Sequence, residues 1–237
     1  MADWLERARQ AGARATRVLP CQALADILLP AFTPCHNFTG PCRGVATWSP
    51  DTGHVPRGFV GALGATHDVQ LVLLTAEPGD PLAGERYNGE DPAALLKSTC
   101  ELAYGILAIC RDVRDRNLIF HRNVRRLLDL CWPGATLAEQ LRRTWIVDSY
   151  LCSAPVESGP VVRASWAACA RDYLRPQLDA LPEAHVVALG GKAHQRARSL
   201  GVHASKAYSV APPGANRRAA VGSWEAVAAE VHRRSTT

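Results

Sequence analysis

The chain has 237 residues, 47% of them hydrophobic and 21% charged, a balance that excludes a disordered or collagen-like polymer and suits one large α/β domain. Its net charge of +5, with Arg far outnumbering Lys, fits a polyanionic partner or simply a solvated basic surface. The charged, Ala/Arg-rich start lacks the apolar run of a secretory signal, and no stretch of about twenty apolar residues crosses a membrane, so a cytoplasmic protein with no membrane partner is expected.

In chain order, Ala2 to Leu29 reads as one or two helices, broken at Pro20 and ended by Pro30. Thr33 to Asp68 is rich in Gly, Pro, Cys and His without sustained periodicity, and reads as a long ordered loop. Residues 1–68 are thus expected to pack, as helices and a Cys-containing loop region, on a single domain spanning 1–237. Val69 to Leu74 is a nearly continuous apolar run, the pattern of a buried parallel strand. It ends in the turn-rich Thr75-Ala76-Glu77-Pro78-Gly79-Asp80-Pro81, where open α/β sheets bind ligands. Helical periodicity follows over Pro92–Arg114, Asn123–Leu130 and Leu137–Arg142. A strand over Thr144–Leu151 precedes a helix over Val162–Leu178 and a strand over His185–Leu189. Gly190-Gly191 opens a helix to Ser199, a last strand lies near Ala207–Val210, and a final helix spans Ser223–His232. Strands alternating with helices imply a three-layer α/β/α fold around a central, mainly parallel sheet of about four strands.

Four segments, in order, resemble the iron–sulfur (family 4) branch of the uracil-DNA-glycosylase superfamily. They are Leu71 to Gly79 with Tyr87 after it, Asp148-Ser149-Tyr150-Leu151-Cys152-Ser153-Ala154-Pro155 with Cys169 in the next helix, Val186-Val187-Ala188-Leu189-Gly190, and Ala211-Pro212-Pro213-Gly214-Ala215-Asn216. The resemblance covers roughly Cys35 to Glu230, with a longer insertion between Cys100 and Arg143. It implies the superfamily's fold and a DNA glycosylase that flips a base out of the helix. DNA is then the partner, with no obligatory protein partner evident and nucleoid association during work.

The resemblance also implies a 4Fe-4S cluster held by Cys35, Cys42, Cys152 and Cys169, clamping the N-terminal region. Zinc on four thiolates is the chemical rival, and plain buried cysteines are the third reading. Cys21, Cys100, Cys110 and Cys131 read as helix-face core residues.

An oxocarbenium-like sugar calls for a nearby carboxylate, and Glu77 fills that role with Asp80 as a spare. Tyr87 matches the aromatic on which a flipped base stacks. Gly79 leaves open the space beside C5 of the base. Asp148 stands where the superfamily has an Asn that reads the base edge. As an ionised acceptor it would oppose uracil O4 and suit the cytosine N4 amino group, so a C5-modified cytosine, as in phage DNA, becomes the expected substrate and antiviral defence a role. Ala211 replaces a His that stabilises the leaving base, with Asn216 as a possible substitute at the base. Pro212, Pro213, Arg217 and Arg218 would contact DNA. Two other readings stand beside this one: an ordinary repair uracil glycosylase, and an inactive DNA-binding relative.

Overall fold

The computed structural model describes residues 3–89, 91–156 and 159–235. The chain begins with α1 (Asp3–Ala13) and α2 (Gln22–Leu28), the latter running into a 3-10 turn at Leu29–Phe32. The expected N-terminal helices are therefore present; Ala2, the first residue of that reading, lies outside the described residues. β1 (Phe59–Gly61) follows, then β2 (Leu71–Thr75), α3 (Pro92–Ile109), α4 (Ile119–Cys131), α5 (Leu137–Arg143) and β3 (Thr144–Asp148). α6 (Arg163–Cys169) continues through a π-helical turn at Ala170–Leu174 into α7 (Arg175–Asp179), tracing the single helix expected over that stretch. β4 (His185–Leu189), α8 (Gly191–Ser199), β5 (Ser205–Ala207) and α9 (Ala220–Ser235) complete the chain.

The sheet has five strands in the order β1-β3-β2-β4-β5 and is mixed. β2 pairs in parallel with β3 and β4, and β4 with β5, whereas β1 runs antiparallel to β3 with Phe59 opposite Val147. This corrects the expected four strands: β1 is only three residues long and sits inside a segment whose Gly and Pro mask any alternation. The last strand also lies earlier than expected, so Tyr208 to Val210 leave the sheet rather than form it. β3 likewise ends at Asp148, which puts that residue at the strand's carboxyl terminus.

Alternation along the strands divides the core. Val72, Leu74, Trp145, Val147 and Ala188 face one buried cluster, shared with Leu5, Leu24, Phe32 and Leu95 from the N-terminal segment and α3. Leu71, Leu73, Ile146, Val187 and Leu189 face a second, shared with Leu127 and Leu128 of α4 and Trp224 and Val227 of α9. Both faces of the sheet are thus covered, which is why its strands read as continuous apolar runs. Trp145 is wholly buried, with its indole N–H donating to Gln177 Oε1 at 3.0 Å, so the helix behind the sheet gives the ring a polar partner.

α3 starts where Asp91 caps it, accepting from the Ala94 amide at 2.8 Å, with Pro92 in the first turn. It is long and apolar enough to cross a membrane by length and composition, yet much of it is core. α1 crosses it closely enough that a Cβ on Gly105 would lie 1.8 Å from Ala8 O, and one on Gly12 would lie 1.9 Å from Glu101 O. The two glycines make that crossing. Cys21, Cys100, Cys110 and Cys131 are all buried, as expected.

Candidate functional site

β2→β3 runs one way along the sheet and β4→β5 the other, so a crevice opens at the carboxyl ends of β2 and β4, the place where open α/β sheets hold ligands. The loop leaving β2 is tied down there by its backbone. Ala76 O accepts from Ser149 Oγ at 2.8 Å, from the Tyr150 amide at 3.1 Å and from Arg196 Nη1 at 2.6 Å. Three donors on one carbonyl fix the loop against both β3's exit and α8.

Glu77, next along, enters the crevice with only 7% of its side chain exposed. Its Oε1 accepts from Lys192 Nζ at 2.7 Å, and its Oε2 lies 2.7 Å from Arg196 Nη2. Lys192 and Arg196 are four residues apart on α8, hence on one face of the helix. Arg196 is itself buried, its guanidinium 5.5 Å from the Trp166 ring centroid. Oε2 is itself buried and meets Arg196 as an ion pair, with no aligned hydrogen bond among the described residues.

Asp148 ends β3 beside this pair. Its amide donates to Gly58 O at 2.9 Å, and a Cβ on Gly58 would fall 1.7 Å from Asp148 Oδ2. The carboxyl therefore lies flat on a glycine backbone that has φ +83°. Burial pushes the Asp148 pKa up to about 8, and the Glu77 carboxylate pushes the same way, against the Thr75 hydroxyl, Arg196 and Arg57. Burial thus favours the carboxylic acid, with one O–H to donate and a carbonyl to accept, over the ionised acceptor.

On the far side Arg57 organises the turn at Gly79. Its Nη1 donates to Gly53 O at 2.7 Å, and its Nη2 to Ser153 Oγ at 2.7 Å and to Gly79 O. Ser153 Oγ also donates to Gly79 O, at 3.0 Å. Gly79 and Asp80 are exposed, and Asp80 lines a cleft of about 600 Å³ with Thr47, His54, Glu85, Arg86 and Ser153. Tyr87 is buried in the core cluster, its hydroxyl donating to Glu85 Oε1 at 2.8 Å. Burial and the Glu85 charge hold its phenol well above the usual range.

Pro212, Pro213, Asn216, Arg217 and Arg218 are exposed on the loop between β5 and α9. No side-chain hydrogen bond joins Asn216 to Glu77 or Asp148 among the described residues. The structure thus brings together Glu77, Asp148 and the Gly79 turn, and leaves the Asn216 loop at the rim.

Cys35, Cys42, Cys152 and Cys169 converge from three parts of the chain. Burial raises the Cys42, Cys152 and Cys169 thiols, the last to about 12, and the charges of the other cysteines in the group add to the rise at each. Around them, Tyr150 Oη donates to Cys42 Sγ at 3.8 Å and the Leu151 amide to Cys169 Sγ at 3.5 Å. Asp172, on the π-helical turn after Cys169, accepts from Asn37 Nδ2 at 2.9 Å and meets His36 Nε2 at 3.0 Å. Ser165 Oγ donates to Pro41 O. The Cys35–Cys42 loop is therefore pinned onto the α6–α7 helix by polar contacts of its own. No group of three or more His, Cys, Asp or Glu among the described residues stands at metal-ligand spacing.

Arg57, Arg196, Lys192, Ser149 and Ser153 were not among the expected site residues. The spacing of Lys192 and Arg196 on a helix that opens from a strand-end Gly-Gly is the signal that points to them; Arg57 sits in an aperiodic loop and carries none. No family model matches the chain, and no curated protein matches it.

Proposed function

We propose that this protein is a DNA glycosylase, which takes a non-canonical base out of the duplex and hydrolyses its bond to deoxyribose, leaving an abasic site. The observation that carries this reading is the placing of two buried carboxyl side chains, Glu77 and Asp148, near one another at the carboxyl ends of β2 and β3. The two buried clusters on opposite faces of the sheet support a three-layer, uracil-DNA-glycosylase-like fold for the whole chain.

Glu77 supplies negative charge where a cationic sugar forms. Arg196 and Lys192 hold that carboxylate in place, one on each oxygen. Asp80 stands at the cleft mouth as a second carboxylate, and Tyr87 backs the pocket through Glu85. Asp148 reads the base edge as an acid. Because its proton can sit on either oxygen, it matches uracil, donating to O4 and accepting from N3–H. It equally matches cytosine, donating to N3 and accepting from the N4 amino group.

Selection then rests on C5. Gly79 offers no side chain, and the adjoining cleft of about 600 Å³ gives a substituent somewhere to go. A C5-modified cytosine is the substrate this favours, since attack on plain cytosine would destroy the host genome. Modified phage DNA is the natural target and antiviral defence the role. The neutral state of Asp148 favours a second reading, a repair uracil glycosylase.

Cys35, Cys42, Cys152 and Cys169 would hold a 4Fe-4S cluster, as a structural clamp. Four cysteine thiolates are the donor set that such a cluster takes, and zinc on the same four is the chemical rival. The positive charge of a bound metal offsets the burial that otherwise keeps these thiols protonated.

Duplexes carrying one uracil, cytosine or C5-substituted cytosine, incubated with protein and then cleaved by alkali at abasic sites, test the reading. Cleavage at the substituted cytosine is expected. Cleavage at uracil alone selects the repair enzyme, and none at any base selects an inactive DNA-binding relative.

A further inference from the structure

Tyr208 is 42% exposed, yet the backbone that carries it is held on every side. Its amide donates to Ser223 Oγ at 3.1 Å and its carbonyl accepts from Trp224 Nε1 at 3.0 Å, both on α9. Trp224 is itself 1% exposed in the second core cluster, so that contact is anchored in the interior. One residue before, Ala207 O accepts from the Gly190 amide at 2.9 Å. Beyond it, Val210 O accepts from Asn123 Nδ2 of α4 at 2.8 Å, and the Ala211 amide donates to Ser209 Oγ at 3.0 Å. No hydrogen bond holds the Tyr208 hydroxyl among the described residues.

A large ring left in water costs hydrophobic free energy, and the braced backbone keeps the residue at the surface. Around it the surface is cationic. Lys206 and Tyr208 are both exposed on either side of buried Ala207, and Arg217 and Arg218 are exposed on the loop that Tyr208 begins. An exposed aromatic on a fixed backbone among cations is the arrangement that binds nucleic acid strands: the charges take phosphates and the ring takes the π-face of a base.

We infer that Tyr208 stacks on a nucleobase of the bound DNA strand, one whose own stacking is broken when its neighbour is taken out of the helix. The inference rests on the glycosylase reading for its DNA partner, and concerns a residue that reading leaves without a role. Stacking is tolerant of base identity, so Tyr208 holds the distorted strand without selecting sequence.

The test compares wild type, Tyr208→Ala and Tyr208→Phe on an oligonucleotide carrying the fluorescent base 2-aminopurine beside the target position. Affinity, its salt dependence and the fluorescence quenching on binding are read together. Tyr208→Ala should weaken binding on the order of tenfold and lose the quenching, with an unchanged salt slope because no charge is removed. Tyr208→Phe should behave as wild type, and all three should melt together. DNA binding and quenching by Tyr208→Ala equal to wild type would overturn the stacking role while leaving the glycosylase reading standing. A wild type that binds no DNA would overturn both.

Discussion

Arg196 Nη2 lies 2.7 Å from Glu77 Oε2, with both side chains more than nine-tenths buried. The pair spans the crevice, joining the helix after β4 to the loop after β2, and it couples the fold to the proposed chemistry. A buried carboxylate stays ionised only when a cation shares its burial. Lys192 meets the other oxygen from a position 44% exposed, so the two cations differ in kind.

Arg196→Ala should therefore destabilise the protein by about 3 kcal/mol or more, because it strands a buried charge. Lys192→Ala should cost about 1 kcal/mol or less, since solvent screens an exposed ammonium. Denaturant unfolding of the two variants checks this. Equal losses would mean that Glu77 is not held mainly by the buried guanidinium.

Asp148 gives a pH dependence of definite sign. Its folded pKa of about 8 stands above the ordinary 3.8. The stability of the neutral acid is fully present below about 3.8 and is lost as pH rises toward about 8, because the unfolded carboxyl ionises first. Asp148→Asn removes that loss. The variant's advantage in melting temperature should be small at pH 5, grow up to pH 8 and stay level above. An advantage independent of pH would show that Asp148 is ionised in the folded protein.

The same ionisation bears on substrate choice. Above about pH 8 an anionic Asp148 opposes uracil O4 with an acceptor, whereas the cytosine N4 amino group still finds one. Binding of uracil DNA should fall from pH 7 to 9 more steeply than binding of C5-substituted cytosine DNA, and Asp148→Asn should flatten the uracil curve. Parallel curves for the two bases would remove Asp148 from base reading.

Gly58 is required by Asp148. Gly58→Ala places a methyl 1.7 Å from Oδ2 and forces a side chain at φ +83°, so a loss of at least about 2 kcal/mol is expected. Adding Asp148→Ala relieves the collision and leaves only the backbone strain, so the double variant should lose less than the sum of the singles. Strict additivity would place the carboxyl elsewhere.

Protein purified without oxygen should be brown, with absorbance near about 400 nm from an iron–sulfur cluster. Cys152→Ala and Cys169→Ala should lose the colour and loosen the Cys35–Cys42 loop to proteolysis. Because Asp172 and Ser165 hold that loop independently, partial rather than total unfolding should follow. A colourless, iron-free protein that resists proteolysis equally would remove the cluster.

Much of this was legible in the sequence. The apolar run ending at Thr75 marks the central strand, because burial on both faces leaves no polar alternation to hide it. Cys35, Cys42, Cys152 and Cys169, far apart in the chain, are close enough for their charges to act on one another, but among the described residues they do not stand at metal-ligand spacing. What stayed hidden depends on tertiary contacts. β1 is too short for a pattern and exists because Phe59 and Val60 find β3. Asp148 stands out in the sequence by its position, but its burial on Gly58, which raises its pKa, is a tertiary contact the sequence does not announce. Arg57 acts through backbone carbonyls at Gly53 and Gly79, which no side-chain motif announces.

The central claim is that Glu77 is the carboxylate that makes this crevice cut a base from DNA. The direct measurement is single-turnover release of free base from duplexes carrying C5-substituted cytosine, with wild type and Glu77→Gln at saturating protein. Gln keeps the shape and loses the charge that a cationic sugar needs. Release should fall on the order of 100-fold or more while affinity for the duplex stays within a few-fold, since the charge acts mainly on the transition state. Base release by Glu77→Gln at the wild-type rate would contradict the account.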